Sequence, residues 1–382
     1  MGKDARDMHI VFACDEYPPE PSGGIGLFVQ KLAEGLVLQG AKATVVGMYP
    51  IAEPERRETI NGVHVWRIRR NPTRVVGPLA ARLVLYRKIE EITYAQRVSV
   101  IEYPDFQSML WRSHSVPTIV RLHGNSSFLA EHGGAKRPSF GVRIAEERAL
   151  RVADLLVAVS RYVASEAIEK APHKEIRVIR NFVDTRVFRN RRLDRSNTVL
   201  FVGTLAAHKG VFALAQAANI FLKRLPDWHL VFVGRDTIHD GKRVSLALTS
   251  LVSDALLPRL RILPAIPHVE LGNVLSTAGV CVFPSKVEAF GLAVAEAMAA
   301  GAPVVASDRG ALKELVEDGL TGVLINPDDD QALAGAIVAL CEDPSVRKRM
   351  GEHASEQIHR ELGYQKGIEE NAALYSALSP AL

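Results

Sequence analysis

Two glutamates and a lysine carry most of the chemistry that can be read from this chain. Glu288 and Glu296 form a Glu-x7-Glu pair in Pro284–Ala306, where an apolar run passes through a polar loop into a helix of small residues. Glu296 falls on the apolar stretch, and a carboxylate there must be hydrogen-bonded to offset a desolvation cost of several kcal/mol. The paired hydroxyls of a ribose are a suitable partner. Lys209 stands beside Gly210 in Phe201–Gly210. At the end of an apolar run and the start of a helix, it is a candidate point charge for phosphate. A solvated loop lysine is the commoner case. Gly23, Gly24 and Gly26 offer a third feature, since glycines let backbone approach a ligand and expose amides at a helix N-terminus. Their GGxG spacing is neither the dinucleotide GxGxxG nor a P-loop, and a glycine turn serving only tight packing explains it as well.

The elements that must position these residues alternate between strand and helix. In the first half, strands are predicted at His9–Ala13, Ala43–Gly47, Val63–Arg67, Val98–Ile101, Thr118–Leu122 and Leu155–Val159. Helices are predicted from about Gly26 to Gln39 and over Ile144–Val152, the first stopped by Gly40. Asn181–Ser196 is polar and reads as a linker. The pattern then restarts, with strands at Thr198–Val202, His229–Val233, Leu260–Leu263, Val280–Pro284, Pro303–Ser307 and Val323–Ile325. Helices are predicted over Val211–Leu225 and from near Gly291. This alternation implies an α/β fold of two doubly wound domains, with ligand at the carboxyl ends of their strands.

Composition narrows the class. The 382 residues are 47% hydrophobic and 24% charged, which excludes a disordered chain. Cys14, Cys281 and Cys341 are too few and too scattered for a disulfide scaffold. No signal peptide or membrane-spanning run is visible, so a cytoplasmic location is expected. The first 190 residues hold 28 Lys and Arg against 21 Asp and Glu, an excess that suits an anionic partner or a merely uneven surface.

Taken together, GGIG, the GTLxxxKG of Gly203–Gly210 and PSxxEAFGLAVAEAMAAGAPVVA resemble the GT-B-fold glycosyltransferases of family 4, from Met8 through the last helix. The resemblance implies two Rossmann-like domains facing each other across a cleft. Residues 1–190 would bind acceptor and 191–360 the nucleotide-sugar, with a helix in 361–382 packing back on the first domain. It implies retaining, metal-independent transfer of a sugar from a nucleotide donor, UDP- or GDP-linked, in polysaccharide or glycolipid assembly. Position by position, Gly24 and Gly26 would face the donor diphosphate, and Lys209 would neutralise it. Glu288 would hold the transferred sugar, the segment Ala289, Phe290, Gly291 and Leu292 would cap the diphosphate, and Glu296 would hold ribose. His123 would lie beside the sugar. Ile266, in Leu263–Pro267, would meet the base. Gly203 and Thr204 would complete the donor loop.

Thr204 departs from the family pattern, which often has Arg there. A hydroxyl does not replace a bidentate guanidinium. Arg235, after the next strand, is a candidate substitute. A nucleotide-sugar-binding subunit with little turnover is the alternative function, and a sugar-nucleotide epimerase is disfavoured by the Glu-x7-Glu segment.

Other candidates are weaker. Asp328–Asp330 precedes a helix and reads as a cap rather than a metal site. Asp105 lines the acceptor cleft or makes a simple turn. His114, His132, His208 and His268 lack metal-ligand spacing and read as loop or surface histidines. Arg67, Arg69, Arg70, Arg74, Arg82, Arg87 and Lys88 crowd an acid-free stretch with Leu79, Leu83 and Tyr86 at helical spacing. That stretch reads as a core-facing helix with a solvated basic face, or as peripheral contact with an anionic membrane presenting a lipid-linked acceptor. Nucleic acid is not expected, for want of an aromatic-interleaved basic patch.

Overall fold

The computed structural model describes residues 8–20, 23–70, 77–105, 110, 112–188 and 195–379. The chain divides into two compact units, one of Met1–Ser127, Arg137–Asn181 and Gln365–Leu382, the other of Phe128–Lys136 and Phe182–Tyr364. The crossing falls at Phe182, ahead of residue 191, because the polar stretch hides Phe182, Val183 and Phe188, all buried. Within the second unit, Phe182 packs edge-on against Tyr364 and the Val183 amide bonds the Leu362 carbonyl.

In chain order the first unit contributes β1 (His9–Ala13), α1 (Gly24–Leu38), β2 (Lys42–Tyr49), β3 (Glu55–Ile60), β4 (Val63–Arg69), α2 (Gly77–Ala95), β5 (Val100–Pro104) and β6 (Thr118–Leu122). After α3 (Ser126–His132), which runs across the boundary, come α4 (Phe140–Val152), β7 (Leu155–Ala158), α5 (Arg161–Lys170) and β8 (Ile176–Val178). The sheet order is β3-β4-β2-β1-β5-β6-β7-β8, parallel except for β3. Every residue of β1, β6 and β7 is buried, as strands covered on both faces require. Strand β3 is a polar, half-exposed edge, so no apolar run announces it. The chain leaves β1 for β2 on one side and returns to β5 on the other. That reversal puts the loops after β1, β5 and β6 at the carboxyl edge where such sheets bind ligands.

The second unit runs β9 (Thr198–Val202), α6 (Val211–Arg224), β10 (His229–Val233), the hairpin β11 (Ile238–His239) and β12 (Lys242–Arg243), α7 (Val244–Leu251), β13 (Leu260–Leu263) and α8 (His268–Thr277). Then follow β14 (Val280–Phe283), α9 (Leu292–Ala299), β15 (Val304–Ser307), α10 (Leu312–Leu315), β16 (Val323–Ile325), α11 (Asp330–Glu342) and α12 (Pro344–Glu361). Its parallel sheet is ordered β13-β10-β9-β14-β15-β16, over a core including Phe201, Phe221, Phe232 and Val282. The direction of winding switches between β9 and β14, and the loops after those two strands carry Lys209 and Glu288.

Helix α13 (Tyr364–Leu378) begins at the end of the second unit, and from Gln365 onward the chain belongs to the first. There it supplies Asn371 and Tyr375 to a buried network. Arg121 Nε and Nη2 donate to the two carboxylate oxygens of Glu102 at 2.7 and 3.0 Å, and Nη2 also donates to Asn371 Oδ1 at 2.6 Å. The Tyr375 hydroxyl donates to Glu102 Oε2 at 2.7 Å. A buried charge pair needs such additional bonds to repay its desolvation.

Candidate functional site

Lys209 and Glu288 meet. Lys209 Nζ donates to both carboxylate oxygens of Glu288, at 2.8 and 2.9 Å, and Ser285 Oγ donates to Oε1 at 2.8 Å. The two loops are stitched by the Lys286 amide on the His208 carbonyl. Gly210 has φ +72, and a Cβ there would lie 1.7 Å from the Pro284 carbonyl oxygen, so only glycine brings the lysine loop this close. Burial and the neighbouring Lys209 charge hold the His208 imidazole down at about 4.

Helix α9 begins directly after Glu288. Its N-cap Gly291 has φ +92, and a side chain there would strike Leu312. Phe290 is buried, and the first amides of the helix have no intrahelical acceptor. They give the Glu288 loop the positive end of a helix, which favours an anion.

Glu296 lies one turn into α9 and is 6% exposed. Its Oε1 lies 2.8 Å from His268 Nε2. His268 is the first residue of α8 and follows the Leu263–Pro267 loop that contains Ile266. It is therefore no mere surface histidine. The two residues are 28 positions apart on separate strand–helix units, so no local spacing signals the pair.

Gly203 follows β9 with its amide on the Val233 carbonyl, and Thr204 comes next, partly exposed. Arg235 is exposed after β10, and its carbonyl accepts the Leu205 amide. The loops holding Thr204 and Arg235 thus run side by side.

In the first unit α1 starts at Gly24, two residues earlier than the predicted Gly26. A Cβ on Gly26 would lie 2.1 Å from the Glu16 carbonyl oxygen, so this glycine is required by packing. Gly24 faces open space within 4 Å, and the Gly23 amide donates to Glu16 Oε2 at 2.7 Å. After β6, His123 packs edge-on against Phe28 at 5.5 Å. Burial and the nearby Arg121 charge push its imidazole down to about 3. Asp105 is buried and accepts the His123 and Gly124 amides at 2.9 and 3.2 Å. Burial pushes its carboxyl up to about 7. Asp105 thus fixes the His123 backbone.

Two further expectations meet the structure. Asp329 caps α11 by accepting the Gln331 and Ala332 amides, while Asp328 pairs with Arg309 at 2.6 Å. The basic stretch is not a uniform face. Arg67 is fully buried, donating to the Tyr17 and Pro18 carbonyls and paired with Glu58. Arg70 pairs with Asp15 and Lys88 with Glu55 and Glu91. The partners sit in the loop after β1, in β3 and on α2, elements the charge run does not reveal. Leu83 and Arg87 are exposed, and Arg74 and the Leu79 side chain lie outside the described residues. His114 is a loop residue whose side chain is covered, stacked on Tyr86 and Tyr103 and bonded to Glu90.

The two Rossmann-like units have the architecture of the GT-B-fold glycosyltransferases. Residues 22–187 match the family described as Glycosyltransferase Family 4 and residues 183–357 that described as Glycosyl transferases group 1. The chain belongs to glycosyltransferase family 4. It is 28% identical to a glycogen synthase of Mycobacterium tuberculosis over 97% of this chain and 95% of that one. Among solved structures, a sucrose-phosphate synthase from Thermosynechococcus elongatus matches with a TM-score of 0.82 at 22% identity, covering 97% of this chain and 99% of that one. The Anabaena protein HepE, solved with UDP and glucose, matches with a TM-score of 0.73 at 20% identity over 97% and 100%. Among the described residues no helix is long and apolar enough to cross a membrane.

Proposed function

We propose that the chain moves a hexose from a UDP- or GDP-linked donor to an acceptor hydroxyl with retention of configuration and without a metal ion, in polysaccharide or glycolipid assembly. The observation that carries this reading is the Lys209–Glu288 pair at the N-terminus of α9. A cation and a helix end lie together and can offset the charge of a diphosphate, and the carboxylate beside them can accept from sugar hydroxyls. Preorganised charge of this kind is the largest single contribution to many such reactions. The bond from sugar C1 to the diphosphate breaks as the acceptor oxygen joins C1 on the same face. The acceptor proton passes to the departing phosphate oxygen.

In this reading Glu296 holds ribose, the Ile266 loop meets the base, and neutral His123 donates or accepts a hydrogen bond beside the sugar. A UDP-bound neighbour and a glycogen-synthase relative support a UDP-type donor and a glucan-like or glycoside acceptor. Peripheral contact with an anionic membrane rests on the exposed part of α2, around Leu83 and Arg87, and no longer on Arg67. The test is proton NMR of product formed from an α-linked UDP- or GDP-sugar. An α-glycoside is expected, and a β-glycoside overturns the assignment.

A further inference from the structure

Glu296 has a partner that the proposed chemistry does not require. His268 Nε2 sits 2.8 Å from Glu296 Oε1, and a carboxylate only accepts, so Nε2 carries the hydrogen. The imidazole is itself fixed, since the buried Phe188 ring meets it edge-on at 5.9 Å and 89°. No hydrogen bond to Oε2 is found among the described residues. One oxygen of Glu296 is therefore tied down, and the other is left to face a ligand.

We infer that His268 is the positioning residue for Glu296: it fixes the carboxylate so that Oε2 is presented to the ribose hydroxyls of the nucleotide. The inference rests on the ribose role proposed for Glu296. A glutamate side chain carries considerable rotamer freedom, and binding with an unfixed side chain must bear the cost of ordering it. His268 removes that cost before the ligand arrives. Its place explains how it can: it opens α8 immediately after the Leu263–Pro267 loop. Contact between base and loop and contact between ribose and Glu296 are thereby fixed by one short segment. Because the ribose lies away from the reacting centre, the effect belongs to nucleotide binding and not to the chemical step.

The test is calorimetry of the full chain with UDP, GDP and ADP, the tightest of the three being carried through the variants, together with donor kinetics. His268→Ala is expected to raise Kd and donor KM about tenfold, with kcat within a factor of about two. His268→Gln keeps a donor at similar reach and is expected to recover most of the affinity. In a Glu296→Ala background, His268→Ala is expected to add nothing, because its only route to the ligand is gone. Unchanged binding in His268→Ala beside a clear loss in Glu296→Ala would overturn the positioning role and leave the ribose reading standing. Unchanged binding in Glu296→Ala would remove the ribose reading and this inference with it. Equal losses in the Ala and Gln variants, or full additivity in the double variant, would show that His268 acts through packing alone.

Discussion

Lys209 and Glu288 are joined by a two-pronged hydrogen bond, Nζ to both carboxylate oxygens at 2.8 and 2.9 Å. In the proposed reading, the cation assigned to the diphosphate is paired with the carboxylate assigned to the sugar. Both are thus kept in place, and each is available only by giving up part of the other. Glu288→Gln weakens that hold while leaving the shape intact. Free nucleoside diphosphate is expected to bind the variant as tightly as the wild type or more so, while kcat falls by at least about tenfold. Weaker diphosphate binding together with normal turnover would show that the pair is structural.

Lys209→Ala removes the cationic side chain that bonds the Glu288 carboxylate, and Thr204 supplies no charge. A charge-assisted hydrogen bond is worth about 1.5–3 kcal/mol, so a loss of about one to two decades in kcat/KM is the expected minimum. If the Arg often found in relatives is simply missing, Thr204→Arg should tighten diphosphate binding. If Arg235 has replaced it, Arg235→Ala should be as harmful as Lys209→Ala, and Thr204→Arg should do little. Steady-state kinetics that leave both alanine variants unaffected refute the charge-balancing role.

Transfer is expected to continue in EDTA, because Lys209 and the α9 N-terminus balance the departing charge. Asp328 and Asp329 are engaged by Arg309 and by backbone amides. Activity that disappears on chelation and returns with magnesium or manganese contradicts this.

Asp105 links the His123 loop to pH. Its carboxyl is pushed from 3.8 up to about 7 by burial, so the folded protein favours the protonated form. The resulting stabilisation is complete below about pH 4 and is lost as pH rises through about 7. Asp105→Asn cannot titrate, and its amide group faces one of the two backbone amides, at a cost of about 1–3 kcal/mol. The stability gap between wild type and Asp105→Asn should therefore narrow from about pH 5 to about pH 8 in urea unfolding. A constant gap rules out the shift. His123, held near 3, should contribute no limb to the pH–rate profile around neutrality.

The sequence shows the strands of the second unit nearly residue by residue, because a parallel strand covered on both faces is a bare apolar run. Val280–Phe283 and Val304–Ser307 are such runs, and Glu55–Ile60 is not, so that polar edge strand was hidden. Burial of Arg67 was hidden for the same reason: its partners Tyr17, Pro18 and Glu58 come from distant turns and strands. Within the site, Lys209, Glu288 and Glu296 are marked by motifs. The hydrogen bonds that orient them are not, because Ser285 looks like any loop serine and His268 approaches from another helix. At Gly26 the Glu16 carbonyl pressed against the backbone requires glycine, a contact that the GGxG spacing does not announce.

The central claim is that Glu288 and Lys209 serve transfer from a nucleotide-sugar rather than binding alone. Its most direct test is release of nucleoside diphosphate from UDP-, GDP- and ADP-sugars, measured with and without a panel of sugar acceptors, for wild type and Glu288→Ala. Acceptor-dependent release from one donor is expected in the wild type, with loss of turnover in Glu288→Ala while the same diphosphate still binds. A wild-type protein that binds a nucleotide-sugar but releases nothing with any acceptor would contradict the account and favour a binding subunit without turnover.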